Sequence, residues 1–314
     1  MDSVRVLPSQ DGNRIGLDLG GTKIEAVLLN GSGRPVFRER VATPRDYGGT
    51  LDRIAELVRR IDAHCGARPP VGIGAPGAWV ESSGTMKNCN STWLNGKPLL
   101  DDLNAALGGR VRIANDANCM ALAEALDGAG RGARVVFGVI LGTGVGGGIV
   151  VDGQLLAGAN SVAGEWGHTP LPYLRTDERT LAMEADLGDR SCYCGRMNCV
   201  ETFLSGPGLA ATHRELTGDQ VVPEDIPLDS PSIDLYTTML ARSLAQIVNV
   251  LDPDVIVLAG GLSNLKGLAE ETEARVARYG FSHEGGTRVL RARHGDASGV
   301  LGACWLWPAN SHCP

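Results

Sequence analysis

Apolar residues along this chain alternate between short runs and helix-spaced stripes, the pattern of an α/β protein. Arg14–Gly20 (RIGLDLG) is an apolar run that meets a glycine turn, and Ile24–Leu29 returns from it, which predicts a hairpin. Val36–Ala42 reads as a third strand. Leu51, Ile54, Leu57, Val58 and Ile61 recur at helical spacing. Val71–Ala75 is a candidate buried strand closed by Pro76 and Gly77. Val111–Ala114 is another, running straight into a helix whose Cys119, Leu122, Ala123 and Leu126 share one face. After Gly128–Arg134, a candidate boundary, the pattern restarts with a strand at Val135–Leu141, a glycine-rich turn at Gly142–Gly148 and a second strand at Gly148–Val151. Leu240, Leu244, Ile247, Val248 and Leu251 stripe a long amphipathic helix, and Asp254–Ala259 is a buried strand ending in Gly260-Gly261. A further helix, a strand near Arg288–Arg293 and a last helix near Ser298–Trp307 complete the pattern.

Each half therefore opens with a strand, a glycine turn and a returning strand, a faint internal duplication. Strands alternating with helices predict an α/β fold with mixed sheets. The expected organisation is a tail at 1–13, a small N-terminal domain at 14–127 joined by the last helix at 298–308, and a larger C-terminal domain at 128–297.

The 314 residues and 43% hydrophobic content suffice for packed cores without disulfides. A net charge of −7 argues against a bulk electrostatic grip on nucleic acid or anionic lipid, while leaving room for a local phosphate pocket. No apolar run reaches the length of a membrane span, and residues 1–13 contain no hydrophobic signal core, so the expected location is cytoplasmic. Of eight cysteines only Cys192, Cys194 and Cys199 are clustered, which in a reducing compartment reads as metal ligation.

Two glycine turns are suited to phosphates. In Asp18-Leu19-Gly20-Gly21-Thr22-Lys23 the glycines allow backbone N–H groups to approach anionic oxygens; Thr22 adds a hydroxyl and Lys23 a positive charge. Asp18, at the strand end, is placed to hold a hydrated Mg²⁺. A plain hairpin with a solvated aspartate fits the same residues. Gly142-Thr143-Gly144-Val145-Gly146-Gly147-Gly148 satisfies G-x-G-x-x-G, but a dinucleotide fingerprint needs a helix after the glycines, and here a strand follows. Gly260-Gly261 is a third candidate nucleotide contact, or simply a turn.

Asn115-Asp116-Ala117-Asn118 lies where a strand meets a helix, so capping is one reading. The other makes Asp116 the base that takes the proton of an attacking hydroxyl in phosphoryl transfer. Cys192, Cys194 and Cys199 form C-x-C-x₄-C, and with His168 upstream they compose a Cys₃His set for a closed, structural zinc site. His213 is the rival histidine, and His168 has a second ring nitrogen for a ligand hydroxyl.

Taken together, IGLDLGGTK, GIGAPGAW, ANDANC, VILGTGVGGG, GEWGHTPL, CYCGRMNCVE and LDPDVIVLAGG resemble, in order, the ROK family of sugar kinases and sugar-responsive repressors over residues 14–308. The resemblance implies an actin/hexokinase-like (ribonuclease H-like) ATPase fold of two domains with an interdomain active-site cleft. It implies ATP and Mg²⁺, Asp116 as catalytic base, and Asn115, Glu165, His168 and Glu201 as sugar contacts, with Asn90 and Gly77 at the sugar rim. Gly20, Gly21, Thr22 and Lys23, with Gly142, Thr143 and Gly144, match the family's nucleotide-phosphate motifs. Within the family, NSTWLNGKPL, ETFLSGPG and HGDASGVLGACWLWP look most like bacterial fructokinases of the manno(fructo)kinase type. Fructose is thus the expected sugar, with mannose secondary and glucose or an N-acetylhexosamine as alternatives. Family repressors carry a DNA-binding winged helix before the first glycine motif, for which residues 1–13 are too few; a non-catalytic sugar sensor is the other alternative. The resemblance also favours a homodimer. The charged stretch at 169–191 reads as a surface loop or an active-site flap.

Overall fold

The computed structural model describes residues 12–172, 187–282 and 286–307. In chain order the elements are β1 (Arg14–Leu19), β2 (Lys23–Leu29), β3 (Pro35–Ala42), α1 (Tyr47–Cys65), β4 (Val71–Ala75), β5 (Ala78–Val80), β6 (Thr85–Lys87), α2 (Leu99–Leu107), β7 (Val111–Asn115), α3 (Asp116–Leu126), β8 (Val135–Leu141), β9 (Val145–Val151), β10 (Gln154–Leu155), α4 (Glu201–Leu204), α5 (Gly206–Thr217), α6 (Pro231–Leu251), β11 (Val255–Ala259), α7 (Leu268–Tyr279), β12 (Arg288–Arg291) and α8 (Ser298–Trp305). The chain divides into two compact units. One comprises Met1–Leu126, Leu155–Ala163 and Asp296–Pro314; the other comprises Asp127–Gln154 and Gly164–Gly295. The short excursion Leu155–Ala163, which returns to the first unit, has no sequence signal.

In the first unit the sheet order is β3-β2-β1-β4-β7. β1 pairs antiparallel with β2 and parallel with β4, which pairs parallel with β7. The α1 stripe supplies Ile54, Leu57, Val58 and Ile61 to a core that also holds Ile15, Leu17 and Ile73. Asp46 caps the helix by accepting from Gly49 N at 2.7 Å, and Gly66 ends it in the left-handed region at φ 64°. α8 packs with β2, burying Val27, Leu29, Val300 and Cys304 together. Its approach is close: a side chain at Gly72 would lie 1.8 Å from Ala303 O, and one at Gly302 would lie 1.7 Å from Cys119 O. Two backbones touch there, and only glycine permits it.

α3 corrects the one-face expectation for its helix. Ala117, Met120, Ala121, Glu124 and Ala125 are buried along with Cys119, Leu122 and Ala123, because α8 covers the helix on a second side. A helix enclosed this way is apolar nearly all round, so no single stripe defines its packing.

In the second unit the order is β10-β9-β8-β11-β12. β8 pairs antiparallel with β9 and parallel with β11, and β11 pairs parallel with β12. The antiparallel, parallel, parallel pairing along β9-β8-β11-β12 repeats that along β2-β1-β4-β7. Its core includes Phe137, Val139, Tyr236, Leu240, Leu244 and Ile256.

The second glycine turn is shorter than expected. Gly146, Gly147 and Gly148 belong to β9, and the turn is Gly142-Thr143-Gly144 alone. The reason is packing: a side chain at Gly147 would lie 2.8 Å from Trp166 Cδ1, and one at Gly164 would lie 2.4 Å from Gly147 O. The strand is stripped of side chains so that the segment carrying Glu165 and His168 can lie directly on it.

Candidate active site and metal centre

Asp18 ends β1 and opens the first glycine turn. Gly20 N donates to Lys23 O at 3.0 Å, while Thr43 donates from its hydroxyl to Gly20 O at 2.8 Å and from its amide to Thr22 O at 3.0 Å. Thr43 thus staples the turn in place, a role with no sequence signal. Gly21, Thr22 and Lys23 are exposed, leaving the turn open to a ligand. Ser91, which follows the exposed Asn90, is buried next to Gly21, and its hydroxyl has no hydrogen-bond partner among the described residues.

Asp116 is the first residue of α3. Asn115 caps the helix: its Oδ1 accepts from Ala117 N at 2.8 Å and Asn118 N at 3.3 Å. Its Nδ2 donates to Gly77 O at 3.3 Å, so Asn115 and Gly77 meet. Asp116 Oδ1 also accepts from Ala117 N at 2.8 Å. Capping and chemistry are therefore separable, since Asn115 already serves the helix end. Burial raises the Asp116 carboxyl above its ordinary range, although the Ala117 and Asp116 amides pull the other way. Burial, then the charges of Asp116 and Glu25, push Asp18 up to about 6, against Lys23 and Arg40. Asp18 and Asp116 thus sense each other, and α8 closes over the former: a side chain at Gly299 would lie 3.5 Å from the Asp18 carboxylate. The first unit supplies two mutually repelling carboxylates near an open backbone turn.

In the second unit, Gly142 N donates to Gly144 O at 3.0 Å, and Gly206 N at the start of α5 donates to Gly142 O at 2.7 Å. Glu201, the first residue of α4, reaches this turn: its Oε2 accepts from Val145 N at 3.0 Å. A side chain at Gly144 would lie 2.7 Å from the same oxygen. Gly260, at φ 85°, abuts Leu141, which precedes the turn, and a side chain there would lie 2.4 Å from Leu141 O. The structure therefore brings Gly142, Thr143, Gly144, Gly260 and Gly261 to the ends of the adjacent strands β8 and β11. A cavity of about 290 Å³ is lined by Thr143, Arg190, Tyr193, Glu201 and Ser205 among others.

Trp166 anchors the intervening segment, donating from Nε1 to Gly146 O at 2.9 Å and meeting Phe137 edge-on. Glu165 and His168 flank it on a short 3-10 turn, with Glu165 exposed. His168, Cys192, Cys194 and Cys199 present ligand atoms all within 4.8 Å of one another. His168 Nδ1 lies 3.5 Å from Cys192 Sγ, and Cys194 Sγ lies 3.6 Å from Cys199 Sγ. Zinc bonds of about 2.3 Å to sulfur and about 2.0–2.1 Å to nitrogen, set tetrahedrally, separate ligand atoms by about 3.5–3.8 Å, so the donor set fits that ion. The Arg196 amide lowers the Cys194 thiol, whereas burial raises Cys192 and raises Cys199 to about 12.

His213, the rival ligand, is buried elsewhere, with Nδ1 2.8 Å from Ser232 Oγ. The second nitrogen of His168, Nε2, lies 2.9 Å from the exposed hydroxyl of Tyr193. Tyr193 was visible between the two cysteines, but no spacing argument singles it out. Of the stretch 169–191, residues 173–186 lie outside the described residues. No helix is long and apolar enough to cross a membrane among the described residues.

The chain belongs to the ROK family, whose model matches residues 14–310. The fold is the family's actin/hexokinase-like two-domain α/β fold. The chain is 40% identical over 300 residues to an N-acetyl-D-glucosamine kinase of Salmonella typhimurium, covering 93% of this chain and 98% of that protein. Among solved structures it is similar to a ROK hexokinase from Thermus thermophilus (30% identity, TM-score 0.80, 93% of this chain and 97% of that one). It is also similar to a ROK glucokinase from Streptomyces griseus in complex with glucose and AMPPNP (26% identity, TM-score 0.70, 94% and 98%).

Proposed function

We propose that this protein is an ATP-dependent sugar kinase whose preferred acceptor is a 2-acetamido hexose of the N-acetylglucosamine type. One observation carries the choice of sugar: the end-to-end 40% identity with an N-acetyl-D-glucosamine kinase. Fructose, favoured by subgroup likeness in the sequence, has no counterpart among the relatives described above and becomes a comparison substrate.

In this reading Asp116 takes the proton from the attacking sugar hydroxyl as that oxygen bonds to the γ-phosphorus, the bridging P–O bond breaks and ADP leaves. A carboxyl raised by burial is a stronger base once ionised, and a placed base is worth about 10²–10⁴-fold in rate. Amides of the Gly20–Thr22 and Gly142–Gly144 turns, with the Thr22 and Thr143 hydroxyls, hold phosphate oxygens; Gly260 and Gly261 line the nucleotide. Asp18 would hold Mg²⁺, which supplies charge neutralisation at the phosphates. Asn115, Glu165, His168 and Glu201 pair with sugar hydroxyls, with Gly77 and Asn90 at the rim. Zinc on His168, Cys192, Cys194 and Cys199 would be structural, fixing the segments that bear Glu165 and Glu201.

The test is an ADP-release assay with MgATP and N-acetylglucosamine, glucose, mannose and fructose. N-acetylglucosamine should give the highest kcat/KM by at least about tenfold. Asp116→Asn should lower kcat by about 10²–10⁴-fold while sugar affinity stays within a few fold. Preference for another sugar refutes the substrate, and an active Asp116→Asn refutes the base.

A further inference from the structure

The hydroxyl of Ser91 is buried and has no hydrogen-bond partner among the described residues. Ser91 precedes the 3-10 turn Thr92–Leu94, where a serine would ordinarily cap, yet its side chain makes no capping bond. Leu94 N donates instead to the Ser91 carbonyl at 3.0 Å. The loop is rigid. Asn95 closes it, accepting from Cys89 N at 2.8 Å through Oδ1 and donating from Nδ2 to Cys89 O at 3.1 Å, while Leu94 is buried in the core of the unit. A buried hydroxyl without a partner costs stability, so one kept in a fixed loop points to a ligand that completes it.

Its direction identifies that ligand. Gly21, in the first glycine turn, is exposed. Apart from the residues on either side of Gly21, the one described heavy atom within 4 Å of where its side chain would stand is Ser91 Oγ, at 3.5 Å. The missing side chain leaves a notch in the turn, and the notch faces a hydroxyl. It lies beside the exposed Thr22 and Lys23, so a second hydroxyl and a positive charge adjoin it. Such surroundings fit an anionic oxygen. On its other flank Ser91 follows Asn90 and Cys89. A side chain on Gly77 would lie 2.8 Å from Cys89 N, and Gly77 O accepts from Asn115. The expected sugar rim therefore runs into the phosphate turn through this loop, with Ser91 at the phosphate end. The phosphate nearest the sugar is the one transferred.

We infer that Ser91 is a further phosphate-binding residue, donating its hydroxyl hydrogen to an oxygen of the transferring phosphoryl group at the Gly21 notch. The inference rests on the kinase reading above and holds whichever hexose is the acceptor. No atom changes hands at Ser91: its hydrogen stays on the serine while phosphorus exchanges the bridging oxygen of ADP for the sugar oxygen. A donor fixed beforehand needs no reorganisation as the charge shifts.

ADP release with MgATP and the best of the four sugars gives kcat for the wild type, Ser91→Ala, Gly21→Ala and the double variant. Isothermal titration gives the affinities for ADP and for the sugar alone. Ser91→Ala should lower kcat roughly 10–100-fold, as for loss of a hydrogen bond to a charged group. Its sugar and ADP affinities should stay within about twofold of wild type. Its melting temperature should hold level or rise by up to about 4 °C, because an orphaned hydroxyl is gone. Gly21→Ala places a methyl in ordinary contact with Ser91 Oγ, so it should melt with the wild type yet lose activity. Adding Ser91→Ala to it should cost less than about threefold more, since the notch is already filled. An undiminished kcat in Ser91→Ala overturns the inference, whatever its melting temperature. A loss of sugar affinity equal to the loss of kcat makes Ser91 a sugar contact and also overturns it, as do effects that multiply fully in the double variant. If the wild type phosphorylates none of the four sugars, the kinase reading falls and the inference with it.

Discussion

At the scale of single residues, the first unit carries a conflict between stability and chemistry. Asp18 is pushed up to about 6 by burial and by Asp116 and Glu25. Its folded pKa lies above the unfolded value of 3.8, so this group's contribution to stability is full below about pH 4 and is lost as pH rises through 6. Asp18→Asn should therefore raise the melting temperature at pH 7.5, with the gain vanishing as the pH falls toward 4. A shift of about two units corresponds to at most about 3 kcal/mol, less where solvent reaches the carboxylate. Phosphoryl transfer should fall in the same variant, as expected when a site is kept strained for function. Thermal melts across pH 4–8 check it; a variant less stable than wild type at pH 7.5 would refute the electrostatic account. The pair Asp18 and Asp116 was legible as two separate motifs, but their mutual influence was not, because nearly a hundred intervening positions hide it.

At the scale of elements, the knuckle Cys192–Cys199 and the turn Glu165–His168 are joined through backbone as well as side chains. Val200 N donates to Thr169 O at 2.9 Å and Leu171 N to Asn198 O at 2.8 Å. Removing one thiol should therefore loosen both. Cys194→Ser is expected to lose zinc, lower the melting temperature by roughly 4–12 °C and weaken sugar binding, since the proposed sugar contacts Glu165, His168 and Glu201 all depend on this scaffold. Metal analysis with calorimetry tests it, and a variant that keeps stoichiometric zinc would refute the ligand set. C-x-C-x₄-C announced a metal motif in the sequence. That His168 and not His213 lies beside the three thiols did not follow from spacing; Trp166 pins the 3-10 turn to the glycine face of β9.

At the scale of the whole molecule, the last helix completes the first unit. Past α8, Trp307 donates from Nε1 to Val71 O at 2.9 Å, lies 4.0 Å beneath the Arg112 guanidinium and accepts from Arg14 at 3.5 Å through its carbonyl. Arg14 also stacks over Trp305 at 4.2 Å. Trp307→Ala should cost roughly 2 kcal/mol of stability in the first unit, with the second unit melting as before. Two resolved transitions in calorimetry, only one of them shifted, would be the signature; an unchanged profile would refute a stabilising role for Trp307.

Strand–turn–strand openings, the α1 and α6 stripes and the cysteine spacing were all written in the sequence, because they depend on residues near one another along the chain, where periodicity and turn chemistry act directly. The extent of β9, the enclosure of α3, the pairing of Tyr193 with His168 and the stapling of the first turn by Thr43 were decided only in three dimensions. Each depends on which backbone comes within contact distance of which other. At Gly72, Gly147, Gly164 and Gly302 the chain records that contact merely as a missing side chain, and a glycine does not say what it has made room for.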